Sequence, residues 1–329
     1  MGNHSTLIPP PEQEQMLAVN ASPLKRLVIG LLLITAVVGT LGVYQLLHAR
    51  SQALHHAENS STDLANILQQ SIGAMLHKTD LTLRHVVDEV EHQSATGGVQ
   101  TDILGKFIER QFQLMPELDS LRISDEHGTV LQGSGDFPAV SVSIVDRDYF
   151  SYLRDHPDAE MVISKPIIGK ISRKWVITCG RSIKKADGTF GGVVYAVLPL
   201  QLFSNLFEGV PVGAHGSVSL RRDDLTLITR YSPKHNENNV SAIGSTRISS
   251  AWQALLNQGK LQNGTYTSAS VTDGINRIYS YSRIHPYPLY INVGLALEDV
   301  LVETNRQRLV VAGFFVLFLG MAVLLVWQS

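Results

Sequence analysis

The stretch KWVITCGRSIKKADGTFGGVVYAVL, residues 174–198, decides the fold of this chain. Its first part, Lys174 to Ile183, is rich in β-branched side chains and has the length of a strand. The pair Asp187-Gly188 then favours a tight hairpin turn, and residues 191–198 form a second apolar run of strand length. The stretch therefore predicts two antiparallel strands side by side.

Outward from this hairpin, strands, turns and short helices follow in an order that occurs twice. In the first unit we expect helices near 100–114, 146–154 and 201–207 and further strands near 118–124, 129–132 and 161–164. In the second unit we expect a helix near 250–257 and strands near 216–221, 226–229, 264–271, 276–283 and 289–297. Antiparallel strands joined by short turns, with helices packed on one face, make an α+β domain.

The residues ahead of the first unit predict one long amphipathic helix. Between Leu64 and Val90 the apolar positions recur at steps of three and four, which is the period of a helix with one apolar face. Gly97-Gly98 provides an end signal. A heptad-like seam permits a homodimer through residues 50–75; the alternative is a helix that packs only on its own domain, and both arrangements are compatible.

Two uncharged apolar runs flank these units, Leu27–Leu47 and Leu309–Trp327. Each has about 20 residues, which at about 1.5 Å rise per residue matches a hydrocarbon core of about 30 Å. Lys25 and Arg26 precede the first run and place the N-terminus in the cytoplasm by the positive-inside rule. We therefore expect two membrane-spanning helices with the intervening residues outside the cytoplasm, rather than buried core helices or a cleaved signal peptide.

The composition excludes several classes of protein. The 329 residues carry 44% hydrophobic and 17% charged side chains and a net charge of −2, so nothing indicates a nucleic-acid partner. The single cysteine, Cys179, cannot form an intrachain disulfide. Phosphate-binding loops, nucleophile elbows and Cys/His metal clusters are absent from the sequence. We expect no enzymatic activity, no cofactor and no metal site in these residues.

Four stretches together resemble the double Cache family of bacterial sensor domains, which precede diguanylate cyclase, histidine kinase and chemoreceptor modules. These are residues 146–150, DRDYF; 163–166, ISKP; 174–194; and 215–218, HGSV. The resemblance covers roughly residues 48–308 and is strongest to the sensors of diguanylate cyclases. It implies tandem PAS-like antiparallel sheets that bind a small ligand in the membrane-distal domain.

The hairpin strand supplies the first candidate ligand contacts. Strand alternation places Trp175 and Arg181 on one otherwise apolar face of residues 174–183. An arginine on such a face requires a partner, and a ligand carboxylate could supply it bidentately. The alternatives are a structural ion pair with Asp146 or Asp148, or an edge position that reaches solvent.

The resemblance adds further candidates. Arg173 and Trp175 match the Arg-x-Trp part of the amino-acid-binding Cache motif, but Val176 and Thr178 stand where that motif has a tyrosine and an aspartate. Because the groups that would hold an ammonium are missing, a carboxylate or another small metabolite is favoured over an amino acid. The predicted ligand-binding set is Tyr149, Lys165, Arg173, Trp175 and Arg181.

The predicted fold is α+β, with tandem PAS-like antiparallel-sheet domains on a long N-terminal stalk helix between two transmembrane helices. The predicted order is a disordered cytoplasmic tail at 1–24, a transmembrane helix at 25–47, the stalk at 48–92, the membrane-distal domain at 93–208, the membrane-proximal domain at 209–298, a connecting helix at 299–308, a second transmembrane helix at 309–327 and a cytoplasmic end at 328–329.

The predicted function is that of a two-pass receptor of the bacterial inner membrane, whose periplasmic sensor binds a small ligand and signals across the membrane. One alternative is the input half of a diguanylate cyclase or histidine kinase whose catalytic domain is absent from this chain. Only Gln328 and Ser329 follow the second apolar run, and we expect the chain to continue into such a domain. The other alternative is a complete binding protein that signals through a membrane partner.

Overall fold

The computed structural model describes residues 13–135, 141–234 and 240–327. The described residues divide into two compact units. One contains the residues up to His56 together with those from Val300 onward, and the other is Ala57–Asp299. The second unit holds both β-sheets.

A single helix, α1, Gln13–Thr96, belongs to both units. The predicted transmembrane and stalk segments are therefore one continuous helix. The structure also differs from the predicted disordered tail, because it is helical from Gln13 on; residues 1–12 lie outside the described residues. Gly97 and Gly98 follow the helix with φ of 149° and 97°. Residues other than glycine rarely adopt these backbone conformations. These glycines end the helix where the sequence indicates.

Among the described residues, one helix is long and apolar enough to cross a membrane. It is the part of α1 from Ile29, with a mean hydropathy of 1.9 and only 6% of the apolar window buried. The second predicted span lies in α6, Leu297–Trp327, whose apolar segment Arg308–Met321 is shorter. Apolar side chains on both helices are exposed, as in Leu33 and Leu309.

The first sheet contains the predicted hairpin at its centre. Its strands, all paired antiparallel, follow the order β2-β1-β6-β5-β3, and β4 also pairs with β5. The elements are α2, Thr101–Gln113; β1, Ser120–Asp125; β2, Val130–Ser134; α3, Asp148–Asp155; β3, Val162–Ile163; β4, Ile167–Ile168; β5, Trp175–Lys184; β6, Phe190–Pro199; and α4, Leu200–Glu208.

The second sheet repeats this plan. Its order is β8-β7-β11-β10-β9, so β7 takes the place of β1, β11 that of β6 and β10 that of β5. The elements are β7, Ser217–Arg222; β8, Leu227–Tyr231; α5, Ser250–Asn257; β9, Asn263–Ala269; β10, Asn276–Ile284; and β11, Leu289–Ala296. Two antiparallel sheets with helices confirm the α+β class.

Each sheet turns one face to α1. On the first sheet, Arg181 of β5 forms an ion pair with Asp80 of α1. On the second, the hydroxyl of Ser280 in β10 lies 2.7 Å from that of Ser61 and 3.0 Å from that of Thr62. Because side chains alternate along a strand, the neighbours of Arg181 and Ser280 point to the opposite face, away from α1.

Candidate functional site

A cavity lies on the face of the first sheet that is turned away from α1. Strands β1, β5 and β6 form its floor, and α3 and the residues around 167–172 form its walls. The empty space, which includes open solvent at the mouth, is about 380 Å³. Its polar lining includes Arg122, Arg147, Tyr149, Lys170, Thr178 and Tyr195.

A buried arginine forms the centre of the floor. Arg122 of β1 is only 4% exposed, and the strand register places it opposite Tyr195 of β6, with which it also shares a hydrogen bond. Burial raises the pKa of Tyr195 to about 12, although the Arg122 charge acts in the opposite direction. The phenol is therefore neutral at physiological pH and can donate a hydrogen bond.

Tyr149 enters the cavity from α3. The helix is anchored by the buried side chains of Phe150 and Leu153, and the Tyr149 ring lies 5.8 Å from that of Tyr195. Burial raises the pKa of Tyr149 well above its ordinary value, so this phenol also keeps its proton. Within the described part of the chain, no hydrogen bond is formed by the Tyr149 hydroxyl.

The stretches DRDYF and ISKP meet at the start of α3. Asp148 Oδ1 accepts a hydrogen bond from the Tyr149 backbone N–H at 2.8 Å, and Oδ2 accepts one from the Lys165 N–H at 3.2 Å. The carboxylate near the N-terminus also complements the helix dipole. This arrangement fixes the helix that carries Tyr149 against the loop behind it.

Two further cations hold the rim. Arg147 Nη2 donates to the Ile168 carbonyl at 3.1 Å, and Lys170 Nζ donates to Asp146 Oδ1 at 2.5 Å. The hydrogen bond from Lys170 holds the pKa of Asp146 below its ordinary value. Of the described residues that line the cavity, none is acidic and three are basic. The lining therefore suits an anion that can accept several hydrogen bonds.

The structure places Arg181 on the other side of β5. Its Nε donates to Asp80 Oδ1 at 2.5 Å and its Nη2 to Asp80 Oδ2 at 3.1 Å. The side chain is 15% exposed and does not line the cavity. The structural ion pair considered from the sequence is thus present, but its partner is Asp80, not Asp146 or Asp148.

The other predicted contacts divide in the same way. Tyr149 lines the cavity, whereas Arg173 and Trp175 border a wide groove that Thr229 of the second sheet also lines. Lys165 is 59% exposed and lies 3.7 Å from Asp224. The other polar lining residues were not predicted from the sequence. The prediction used the face of β5 that carries Trp175 and Arg181, and that face packs against α1. The residues it missed are Arg122, Arg147, Lys170, Thr178 and Tyr195.

Comparison with known protein families shows to which family the chain belongs. A sequence model of the Cache domain matches residues 48–303. The chain belongs to the Cache domain family. The double Cache resemblance is thereby confirmed, and the link to diguanylate cyclases stays a prediction. A search of curated proteins found no match to this Cache chain.

Solved structures with the same fold are sensor domains. The extracellular domain of the candidate histidine kinase rpHK1S-Z16 is 25% identical, with a TM-score of 0.64 over 75% of this Cache chain and 98% of that one. The ligand-binding domain of Mlp24 with asparagine is 13% identical, with a TM-score of 0.56 over 78% and 99%. That of the Campylobacter jejuni chemoreceptor Tlp3 with L-valine is 15% identical, with a TM-score of 0.53 over 77% and 98%. The last two show the fold alone.

Proposed function

We propose that this Cache chain is a transmembrane receptor whose sensor binds a small carboxylate in the Arg122 cavity and signals across the bacterial inner membrane. The observation that carries the proposal is a buried guanidinium and two neutral phenols that line one cavity. A carboxylate would accept hydrogen bonds from Tyr149 and Tyr195 while facing the Arg122 charge. The membership of the Cache family supports a sensor role.

The cavity lining favours a ligand without an ammonium group. Relatives have been solved with L-valine and with asparagine, and an amino-acid ligand would need acceptors for its cationic nitrogen. The described lining residues offer hydroxyls and cations but no carboxylate. We therefore favour an organic acid over an amino acid as the ligand of this chain.

The signal is proposed to travel along helices that are continuous with the sensor. Helix α1 carries both sheets and extends through the apolar segment from Ile29; α6 begins directly after β11. We propose that α6 is the second membrane span, that the sensor lies in the periplasm, and that a homodimer forms through residues 50–75. The chain's likeness to the extracellular domain of the candidate histidine kinase rpHK1S-Z16 favours an output of the histidine kinase kind.

The binding test compares two tyrosines of the same helix. The full chain in detergent is screened by thermal shift against acetate, lactate, succinate, malate and amino acids. Tyr149→Phe should weaken binding of the organic acid about tenfold or more, because a hydrogen bond to a charged group is lost. Tyr152→Phe is the matched control, since Tyr152 lies one turn further on and is half-exposed. Equal affinities of the two variants, or stabilisation by none of the acids, would exclude the proposed site.

The membrane arrangement has its own tests. A reporter that is active only in the cytoplasm, fused after Ser329, should be active, and activity of a periplasmic reporter there would contradict the two-pass topology. Single cysteines placed along residues 50–75 in membranes should crosslink between subunits with a period of about 3.5 residues. A flat crosslinking profile would remove the proposed dimer seam.

A further inference from the structure

The second sheet has a cavity of its own on the face turned away from α1. It lies between the strands and α5, and its empty space is about 400 Å³ including the mouth. The residues that matter for its chemistry are Ser219, Arg221, Trp252, Tyr266, Tyr279 and Asn292. None of these residues belongs to the Arg122 cavity.

This second cavity, like the first, has a buried arginine on the strand that lies second in its sheet. The tripeptide Ser-Leu-Arg occurs at 120–122 on β1 and again at 219–221 on β7, the strands that hold equivalent places in the two sheets. Arg122 lies opposite a tyrosine of β6, and Arg221 lies opposite Tyr290 of β11. The two arginines differ in position along their strands, because the pairing irregularity that follows Ile123 in β1 follows Leu220 in β7, so that Arg221 corresponds to Ser124.

The cavity wall carries more positive than negative charge. Arg221 is 6% exposed, and its guanidinium donates to the carbonyls of Leu225, Ser245 and Arg247 at 2.6, 3.1 and 3.2 Å. In the described part of the chain no carboxylate forms an ion pair with it. Burial lowers the pKa of Arg221 to about 10, so the group remains charged at neutral pH.

Arg230, which also lines the cavity, belongs to a neighbouring cluster of charged side chains. Arg230 and Arg277 lie 2.6 and 2.8 Å from the same carboxylate, that of Asp273. Side chains in this cluster are at most 5% exposed. Both guanidinium groups thus contact the Asp273 carboxylate.

Two buried polar atoms on the cavity lining point to hydrogen bonds with a ligand. Within the described residues, Trp252 Nε1 and Asn292 Oδ1 have no hydrogen-bond partner, although their side chains are 2% and 5% exposed. Asn292 Nδ2 donates to the Tyr266 hydroxyl at 2.9 Å, which fixes the orientation of the amide. Buried donors and acceptors are rarely left unsatisfied in proteins.

The indole is held rigidly in this position. Its ring stacks on Tyr266 at 6.0 Å with an interplanar angle of 19° and meets Tyr290 edge-on at 6.3 Å. Arg221 lies over the ring at 6.0 Å. The Ser249 hydroxyl caps α5 by accepting from the Trp252 backbone N–H. The indole N–H of this lining residue is thereby held in one orientation for an acceptor.

We infer that the second sheet contains an independent binding site for a small hydroxycarboxylate. The carboxylate accepts a hydrogen bond from the Trp252 indole N–H beside Arg221, and the hydroxyl donates to Asn292 Oδ1. A hydroxycarboxylate supplies both the negative charge and the donor that this lining requires. The chain then senses two small molecules, one on each sheet.

The test uses lactate as the probe and lactamide as its neutral counterpart, with the full chain in detergent. Trp175 and Trp327 are replaced by phenylalanine, which leaves Trp252 as the one tryptophan of three, so that its fluorescence reports this site alone. Lactate should give a saturable change in emission, and lactamide should bind at least about tenfold more weakly, because it lacks the charge. No saturable change with lactate, or equal binding of the two, would overturn the inference.

Variants separate the two cavities. By calorimetry, Trp252→Phe should lower lactate affinity at this site about tenfold or more, without lowering the melting temperature of the free chain, because it removes an unpaired buried donor. Trp175→Phe, at the start of β5 in the first sheet, is the matched control and should change nothing. Asn292→Asp gives a second reading, since the added negative charge should abolish binding. Loss of lactate binding in Tyr149→Phe alone would assign the lactate to the first cavity and refute this site.

Discussion

Replacing Asp80 by asparagine tests the buried ion pair that joins α1 to the first sheet. The variant keeps the shape of the side chain but leaves the Arg181 guanidinium, 15% exposed, without its carboxylate. Breaking a buried pair by removing one charge costs about 3–5 kcal/mol. Arg84 also lies 3.2 Å from Asp80 but is half-exposed, so its loss adds less than about 1 kcal/mol.

The expected loss is large enough for a thermal assay. In a domain of this size, 1 kcal/mol changes the melting temperature by about 2–4 °C, so Asp80→Asn should lower it by about 6–20 °C. Asp88→Asn is the control, because Asp88 is an exposed carboxylate of the same helix and surface changes usually stay within about 0.5 kcal/mol. The paired change Asp80→Leu with Arg181→Leu should recover most of the loss, because an apolar pair replaces both charges.

Two outcomes would refute this reasoning. If Asp80→Asn and Asp88→Asn have the same melting temperature, the Asp80–Arg181 ion pair contributes nothing to stability. Arg181 then again becomes a candidate ligand contact. If the doubly substituted chain is as unstable as Asp80→Asn, the loss comes from packing on α1 and not from an unpaired charge. Unfolding is followed by far-ultraviolet circular dichroism in the same detergent, so that α1 and both sheets contribute to one signal.

Three further predictions concern single residues. Cys179 is fully buried and burial raises the pKa of its thiol far above the ordinary range, so iodoacetamide should label it only in denaturant; rapid labelling of the native chain would contradict this burial. Gly192 has a φ of +138°, and a Cβ there would lie 2.1 Å from the Ser124 carbonyl oxygen, so Gly192→Ala should cost about 2 kcal/mol or more, against about 1 kcal/mol for Gly188→Ala, which has open space. Burial alone would raise the pKa of Asp273, but hydrogen bonding by Arg277 and the nearby arginine charges hold it well below its ordinary value. Because a depressed pKa stabilises the fold only while the group is ionised, the melting temperature should fall as the pH drops below about 4, more steeply than in Asp273→Asn; parallel curves would show that Asp273 does not contribute.

Local patterns were sufficient to predict most of the elements. In the β5–β6 hairpin and in the amphipathic part of α1, the spacing of apolar residues along the sequence is compatible with only one type of secondary structure. Strand β4, Ile167–Ile168, was not predicted, because a strand of two residues is too short to show an alternation of apolar and polar side chains. The stalk was predicted to continue the first apolar run as one helix, and α1 runs through both without a break.

The candidate site was harder to predict because both faces of β5 are covered. Alternation identifies two faces but not which of them lines a cavity, and the partner of Arg181 is 101 positions away along the chain. Tyr149 was found through the DRDYF stretch. Arg122 lies in no such motif, and its place in the cavity follows from the pairing of β1 with β6, which sets it opposite Tyr195.

Because both sheets are attached to one helix, only certain numbers of residues can be inserted into α1 between the two contacts. Thr62, which contacts the second sheet, and Asp80, which contacts the first, are 18 positions apart, about five turns of α-helix. Both contacts therefore lie on the same side of α1. One residue inserted between them would turn one contact by about 100° away from the other, whereas seven inserted residues would nearly restore the alignment. Length variation in α1 is therefore expected in heptads between these contacts, and single insertions are expected only in the loops.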